Sequence, residues 1–207
     1  MATPSIKGAA FQSAWDDVQR LFNAGQVSRR ELEIRFSADA FRVLEEKVNP
    51  AMWYPIDVYR AFVQLLVEKE ARGNAEEYLV QRGWRAAERI RGSGVYSQLE
   101  ADPERWGVRV GKLIVTISGA MYNFTRWSVV LPDQTRPLQI LVEDALEFPE
   151  ECRFTALGFV KFASAMVAQR SDAQVTSTRP TPDRVIYEIP HWRPRESPRS
   201  GRAVGSV

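Results

Sequence analysis

The sequence predicts an α+β fold, with a helical N-terminal half followed by a hairpin, a helix and a second hairpin that form a four-stranded antiparallel sheet. Apolar residues recur at spacings of three and four through the first half, as in amphipathic helices. Runs rich in β-branched residues, separated by turn residues, replace this pattern in the second half. The chain has 207 residues, 44% of them hydrophobic, which is sufficient for one ordinary core.

The first helices are predicted from apolar periodicity and from capping residues. The spacing over 11–22 predicts an amphipathic helix that Gly25 ends. Ser28, followed three residues later by Glu31, has the form of a capping box, and Ser37 caps the next helix.

Two longer helices follow in the predicted order. Pro55 suits the first position of a helix, and the apolar residues over 58–66 continue it until Gly73. Asn74 with Glu77 repeats the capping pattern for a helix over 75–91.

The second half begins with an ambiguous segment. Asp102 and Pro103 are typical of a helix start, and the spacing over 106–117 predicts a helix, although its β-branched residues leave a strand open for part of it. The remaining elements are a hairpin, a helix that Pro149 opens, and a second hairpin with its turn at 180–183; the predicted strands are 127–131, 138–142, 173–178 and 185–189.

The charge distribution separates a body from a tail. The net charge is +2. Residues 193–207 hold four arginines against one glutamate, so this segment carries +3 and residues 1–192 carry −1. We therefore expect a single domain over 1–192 and a disordered basic tail, rich in Pro, Arg, Ser and Gly, over 193–207. Because the body lacks excess positive charge, a nucleic-acid partner is not expected. The arginine tail could make only a weak contact with nucleic acid or another anionic surface.

The residues that commonly carry metal or covalent chemistry are scarce. The only cysteine is Cys152, so neither an internal disulfide nor a cysteine-rich zinc site can form. The only histidine is His191, which we expect to be exposed after the last strand. Cys152 falls on the apolar face of its helix, and we expect it to be buried and structural. The sequence thus predicts no metal, no haem and no other cofactor.

Aromatic rings near arginines are the strongest indication of a binding site. Six tryptophans and six tyrosines occur in the chain. Rings with polar tips beside arginines are typical of ligand pockets and protein interfaces, although plain core packing also accommodates them. The residues predicted to bind a ligand are Trp53, Tyr54, Tyr59, Arg82, Trp84, Tyr96, Trp106, Tyr122 and Arg126.

Small residues along the predicted helix over 75–91 indicate a close helix–helix contact. Gly83, Ala86 and Ala87 form a strip flanked by Trp84 and Ile90. The strip can serve the core of one chain or the contact of a homodimer, and the sequence leaves both open.

Several local motifs over roughly 50–190 resemble those of the superfamily of haem-NO-binding sensor domains, four-vinyl-reductase-type domains and TRAPP trafficking subunits. The segment 82–87 (RGWRAA) is similar to a helix of such domains, and 154–159 (FTALGF) is similar to their glycine-bearing helix between hairpins. Residues 122–126 (YNFTR) resemble the Y-x-S-x-R motif that contacts haem propionates, with Phe124 in place of serine.

The departures from this resemblance concern the cofactor. The haem sensors need a proximal histidine on a helix before the hairpins, and this chain has none there; the four-vinyl-reductase-type domains often carry a cysteine cluster, and this chain has one cysteine. The resemblance therefore implies a scaffold without its cofactor: a pocket between helices and sheet, and a helical face that forms dimers.

Two functions follow from these observations. The first is a non-catalytic binding module, regulatory or scaffolding, for a small apolar ligand or a partner protein, and forming a homodimer. The second is a small enzyme with an acid-base site of Asp, Glu, Arg and Tyr residues, although the paired carboxylates are typical of caps and solvated faces. No secretory signal or membrane-spanning run is visible, so we expect a cytoplasmic protein.

Overall fold

The computed structural model describes residues 3–92, 106–132, 136–168 and 174–190, and these residues form an α+β fold. In this part of the chain the helices are α1 (Gly8–Asn23), α2 (Arg29–Arg35), α3 (Ala38–Glu45), α4 (Ile56–Glu70), α5 (Ala75–Gly92), α6 (Trp106–Met121) and α7 (Glu150–Ala168). The strands are β1 (Ser5–Lys7), β2 (Trp53–Pro55), β3 (Arg126–Val130), β4 (Leu138–Glu143), β5 (Thr176–Thr181) and β6 (Arg184–Ile189).

The predicted helix caps are present. The hydroxyl of Ser28 accepts a hydrogen bond from the backbone N–H of Glu31 at 3.2 Å, and Ser37 caps α3 in the same way. At the start of α5, the side chain of Asn74 accepts from the N–H of Glu77 and donates to its carboxylate at 2.8 Å. These bonds satisfy N–H groups that have no partner inside the helix, which explains why the three helices begin there.

A small two-stranded sheet at the N-terminus was not predicted. β1 and β2 pair antiparallel, with Ile6 opposite Tyr54. The sequence suggested that Pro55 is the first residue of a helix, but it ends β2 and immediately precedes α4. Two strands of three residues are too short to show an alternating pattern, so the register depends on tertiary contacts such as the bond from the N–H of Ile56 to the carbonyl of Pro4.

The four-stranded antiparallel sheet is confirmed, with the order β3-β4-β6-β5. One face is buried: alternate residues of β4 and β6 are opposite each other and point to the core. These cross-strand pairs are Leu138 with Ile189, Ile140 with Tyr187, and Val142 with Val185. α7 packs on the sheet through contacts with β5 and β6, so the sheet and α7 form two layers around one core.

In the second half of the chain, the structure settles the ambiguous segment and changes the position of the last turn. The ambiguous segment over 106–117 is helical and belongs to α6, because β-branched residues also suit a helix whose apolar side is packed. The last turn is shorter than predicted: β5 continues to Thr181, the register shifts between Thr178 and Thr181, and Pro182 and Asp183 alone make the turn.

α5 and α7 cross at unusually close range because each has a glycine at the contact. A Cβ atom on Gly83 would lie 1.8 Å from the carbonyl oxygen of Thr155, and one on Gly158 would lie 1.9 Å from that of Val80. Ala87 is fully buried beside the same crossing. Gly83 and Ala87 of the small-residue strip are therefore covered by α7 of the same chain, which favours the core over a dimer contact, the two alternatives that the sequence left open.

Two other expectations concern the ends of the chain and the membrane. The predicted basic tail over 193–207 lies outside the described residues, as do His191 and the Asp102-Pro103 cap. In the described ranges, no helix combines the length and the apolar character needed to cross a membrane.

Candidate functional site

A cavity of about 570 Å³ lies among α1, α4, α5, α6 and α7, at the end of the sheet where β3 begins. Its volume is within the range of small-molecule pockets. The walls come from both halves of the chain, since α1 and β1 supply one side and α6, α7 and β3 supply the other.

Most of the cavity wall is apolar. α6 contributes Ile114, Ile117 and Met121 along one face, α7 contributes Phe159 and Val160, and further apolar lining comes from Ile6, Ala9, Ala10, Ala86, Ile90 and Trp127. Such a surface favours an apolar molecule over water, because burying it removes hydrocarbon from solvent.

The polar groups of the cavity are concentrated at the edge between α1 and α5. Arg82 donates from Nη1 to Oδ2 of Asp17 at 2.5 Å and to the hydroxyl of Tyr78 at 3.3 Å. Tyr78 donates to Glu70 at 2.5 Å, and Arg20 pairs with both Glu70 and Asp17. The side chain of Arg82 is only 11% exposed, so the network holds a nearly buried guanidinium at the cavity.

The protonation of this edge is set by its neighbours. Burial alone would lower the pKa of Arg82, but Tyr59, Tyr78 and Asp17 outweigh it, and the pKa is raised. Burial, together with a hydrogen bond to Glu70, raises the pKa of Tyr78 to about 12. Arg82 is therefore a permanent cation and Tyr78 a neutral donor at neutral pH.

A second polar contact joins the cavity wall to the core behind it. Tyr122, half-buried at the end of α6, shares a hydrogen bond with Cys152, which is fully buried on α7. Burial raises the pKa of Cys152 to about 12, although the bond from Tyr122 acts in the opposite direction. The thiol is therefore neutral at physiological pH, consistent with the structural role expected for it.

The structure brings three of the nine predicted ligand-binding residues to the cavity: Tyr59, Arg82 and Tyr122. Burial raises the pKa of the Tyr59 hydroxyl, which also bonds to Thr155. These residues come from α4, α5 and the end of α6, so the sequence alone could not show that they meet.

Four other predicted residues lie elsewhere. Trp53 is partly exposed on β2 beneath the ammonium of Lys7, and the hydroxyl of Tyr54 accepts a hydrogen bond from the N–H of Asn49. Trp84 packs edge-on against Phe162 of α7. These three rings stabilise the fold at positions outside the cavity.

Arg126 is the fourth residue away from the cavity. Its side chain is 66% exposed and pairs with Glu143 at 3.3 Å and with Asp144 at 3.8 Å. Of the two remaining predicted residues, Tyr96 lies outside the described residues, and Trp106 begins α6 with a side chain that is not described.

Sequence reasoning missed the side of the cavity that α1 supplies. Ala9, Ser13 and Asp17 recur every four residues, next to the apolar stripe of Phe11, Ala14 and Val18 that enters the core. Small and polar residues at helical spacing beside an apolar stripe were a usable signal for a second buried surface. Trp127 was recognised only as a strand residue.

Within the described residues, no group of three or more His, Cys, Asp or Glu side chains is arranged to hold a metal ion. No protein-family model matches the sequence, and no curated protein matches it.

Solved structures do match. A mutant of the Fe(II) unliganded H-NOX protein from K. algicida superposes with a TM-score of 0.61 over 89% of this chain and 95% of that chain, at 14% identity. A mutant Cs H-NOX carrying an unnatural amino acid gives 0.56 over 93% and 100% of the two chains, at 12% identity. A mutant of T. Tengcongensis H-NOX gives 0.56 over 92% and 100%, at 11% identity. This chain therefore has the H-NOX (haem-NO-binding) fold, in agreement with the resemblance in its sequence.

Proposed function

We propose that this chain is a non-catalytic binding module that holds one small, mainly apolar molecule in the cavity between α1, α5, α6 and α7. The observation that carries the proposal is the cavity itself, about 570 Å³ in volume, apolar over most of its wall and polar along one edge. Ligand sites in proteins have this character: an apolar surface for affinity and a few placed polar groups for orientation.

An acid-base enzyme is the alternative, and the carboxylates give it less support. Catalysis of that kind needs carboxylates that face one gap, with a pKa raised by burial or by each other. Two carboxylates line the cavity, those of the adjacent residues Asp16 and Asp17, and Asp17 is already paired with Arg82 and Arg20. The glutamates with clearly shifted pKa values, Glu31 and Glu68, have them lowered by hydrogen bonds to Lys69 and Arg35 at the surface.

The similar H-NOX protein from K. algicida is described as Fe(II) unliganded, and the residues here do not fit a haem iron. Haem iron takes an axial histidine, thiolate, thioether or tyrosinate. The single histidine follows the last strand, and burial raises the pKa of Cys152, Tyr59 and Tyr122, which disfavours a thiolate or a phenolate at the cavity. Arg126, at the arginine position of the propionate motif, is engaged by Glu143. The proposed ligand is therefore an organic molecule other than haem.

The wider role belongs to the same proposal. A regulatory or scaffolding function, with residues 1–192 acting as one cytoplasmic domain, agrees with the small number of reactive groups and the lone cysteine. A protein partner or a second copy would bind at a surface other than the α5–α7 crossing, because that crossing is buried within the chain.

Titration with the neutral apolar fluorophore N-phenyl-1-naphthylamine tests the cavity directly. We expect saturable binding of one molecule per chain, with a Kd on the order of micromolar, and quenching of Trp127, which lines the cavity. Ala86→Phe, which places a ring in the cavity, should abolish binding without lowering the melting temperature.

The matched control is Ala75→Phe, an exposed position at the start of the same helix. This variant should bind the fluorophore like the wild type. Non-saturable binding, or equal binding by the wild type and Ala86→Phe, would contradict the proposal.

A further inference from the structure

We propose that Arg82 anchors the carboxylate of the bound ligand, so that the cavity selects a monocarboxylate with an apolar body over a neutral molecule of the same shape. This inference rests on the proposed function and specifies the chemical class of the ligand. It depends on the part of the Arg82 guanidinium that the protein leaves unused.

Arg82 has unused hydrogen-bond donors at a nearly buried position. A guanidinium has five N–H donors, and the two protein bonds of Arg82 both come from Nη1, to Asp17 and Tyr78. Within the described residues, Nε and Nη2 of Arg82 have no hydrogen-bond partner. The buried polar atoms without a partner in the described residues are Glu151 Oε2 and Ser164 Oγ, so Nε and Nη2 of Arg82 keep access to solvent. An oxygen ligand at this edge can therefore replace water at both donors.

The geometry of the free edge suits a carboxylate in particular. Nε and Nη2 of arginine are parallel donors that match the two oxygens of a carboxylate. Because Asp17 and Tyr78 hold Nη1, the orientation of the guanidinium is set before a ligand arrives, which reduces the entropy lost on binding.

The charges around Arg82 are compatible with an added anion. Asp17 is shared between Arg82 and Arg20, and it occupies Nη1, the nitrogen not needed for the proposed contact. Arg89 lies two helical turns further along α5 and also lines the cavity, so α5 contributes two cations to the wall and α1 contributes two carboxylates, Asp16 and Asp17. α6 contributes mainly apolar side chains to the lining, Ile114, Ile117 and Met121, and these suit the body of the ligand.

A matched pair of probes tests the inference: decanoate and 1-decanol, both below their self-association concentrations. Calorimetric titration of the full chain should show decanoate binding about 10- to 100-fold more tightly than decanol. Arg82→Gln should reduce decanoate affinity by a similar factor and leave decanol and N-phenyl-1-naphthylamine unchanged. Arg82→Lys keeps the charge but loses the parallel donors. Its affinity for decanoate should therefore lie between that of the wild type and that of Arg82→Gln.

Arg85→Gln is the control, because Arg85 is exposed on the same helix, outside the cavity lining. It should bind all three probes like the wild type. Unchanged binding of N-phenyl-1-naphthylamine and decanol by Arg82→Gln shows that the variant is folded, so a loss confined to decanoate supports the inference.

Equal affinity for decanoate and decanol, or equal loss of both in Arg82→Gln, would overturn the carboxylate assignment while leaving the cavity as a ligand site. If the wild type binds none of the three probes, the proposed function fails together with this inference.

Discussion

Two sides of helix α5 differ sharply in how they pack. Toward α7, Gly83 and Gly158 bring the two backbones so close that a single added carbon would meet a carbonyl oxygen. Toward α1 and α6, the same helix borders a cavity of about 570 Å³. The neighbouring residues Ala87 and Ala86 divide in the same way, since the first is fully buried and the second lines the cavity.

This difference indicates which side of the helix is structural and which is available to a ligand. Protein interiors are packed as densely as organic crystals, so a space of this size, open to solvent on one side, lies outside the packed core. The crossing of α5 and α7 fixes one side of α5, and the hydrogen bonds of Arg82 join α5 to α1 at the cavity. A cavity with two fixed walls keeps its shape without a ligand, as a pre-formed binding site requires.

The largest expected effect concerns access of solvent to the core behind the cavity wall, which the reactivity of Cys152 reports. Because burial raises the thiol pKa from 9.0 to about 12, the thiolate fraction at pH 8 falls by roughly 1000-fold. We expect Cys152 to react with 5,5′-dithiobis(2-nitrobenzoate) at least about 1000-fold more slowly in the native protein than in urea.

A double variant, Cys152→Ala with Leu146→Cys, provides the comparison, because Leu146 is exposed. Its thiol should react rapidly in the native state. Fast modification of native Cys152 would mean that the core behind the cavity wall opens readily.

The second effect concerns the glycine crossing. Gly158→Ala places a methyl group against the carbonyl of Val80, so the helices must separate, and we expect a loss of about 3 kcal/mol in the free energy of unfolding. Gly119→Ala is the control, since nothing lies within 4 Å of the added carbon on α6. It should stabilise by up to about 1 kcal/mol, because alanine favours a helix. Urea denaturation measures both, and equal effects would refute the close crossing.

The third effect compares adjacent alanines on the two sides of α5. Ala87→Leu overpacks the crossing and should cost about 2 kcal/mol. Ala86→Leu extends into the cavity and should leave stability within about 0.5 kcal/mol of the wild type. Thermal melting, with light scattering to follow the oligomeric state, distinguishes them. If Ala87→Leu stays fully stable and changes only the oligomeric state, the strip is a dimer contact after all.

The smallest expected effect is the pH dependence of stability from two glutamate ion pairs that lie away from both sides of α5. Hydrogen bonds to Lys69 and Arg35 lower the pKa of Glu31 and Glu68 in the folded protein. The stabilisation that these ion pairs give the folded protein is therefore fully present above the ordinary glutamate pKa of 4.5. It is lost as the pH falls through the lowered pKa values of the folded state. Because the pairs are exposed, the change should be small and should weaken in salt.

Melting temperatures of the wild type and Arg35→Gln at pH 6 and pH 3 measure this contribution. The variant should lose less stability on acidification. A steeper loss in Arg35→Gln would show that another group controls the acid response.

The sequence by itself determined the helices, their caps and the sheet. Ser28, Ser37 and Asn74 cap helices through bonds to residues three positions away, and alternation along β4 and β6 selects their buried face. Such contacts are local or periodic, so the chain records them directly. The pair of three-residue strands escaped prediction because so short a segment carries no period.

Only the tertiary structure decided which side of α5 is packed and which is open. Gly83, Ala86 and Ala87 are all small, and one strip can equally describe a crossing within a chain, a dimer contact or a cavity wall. Their roles depend on Gly158, 75 positions after Gly83, and on Asp17, 65 positions before Arg82. Contacts at such separations arise from how the layers pack together, and packing is a property of all the elements at once rather than of any one segment.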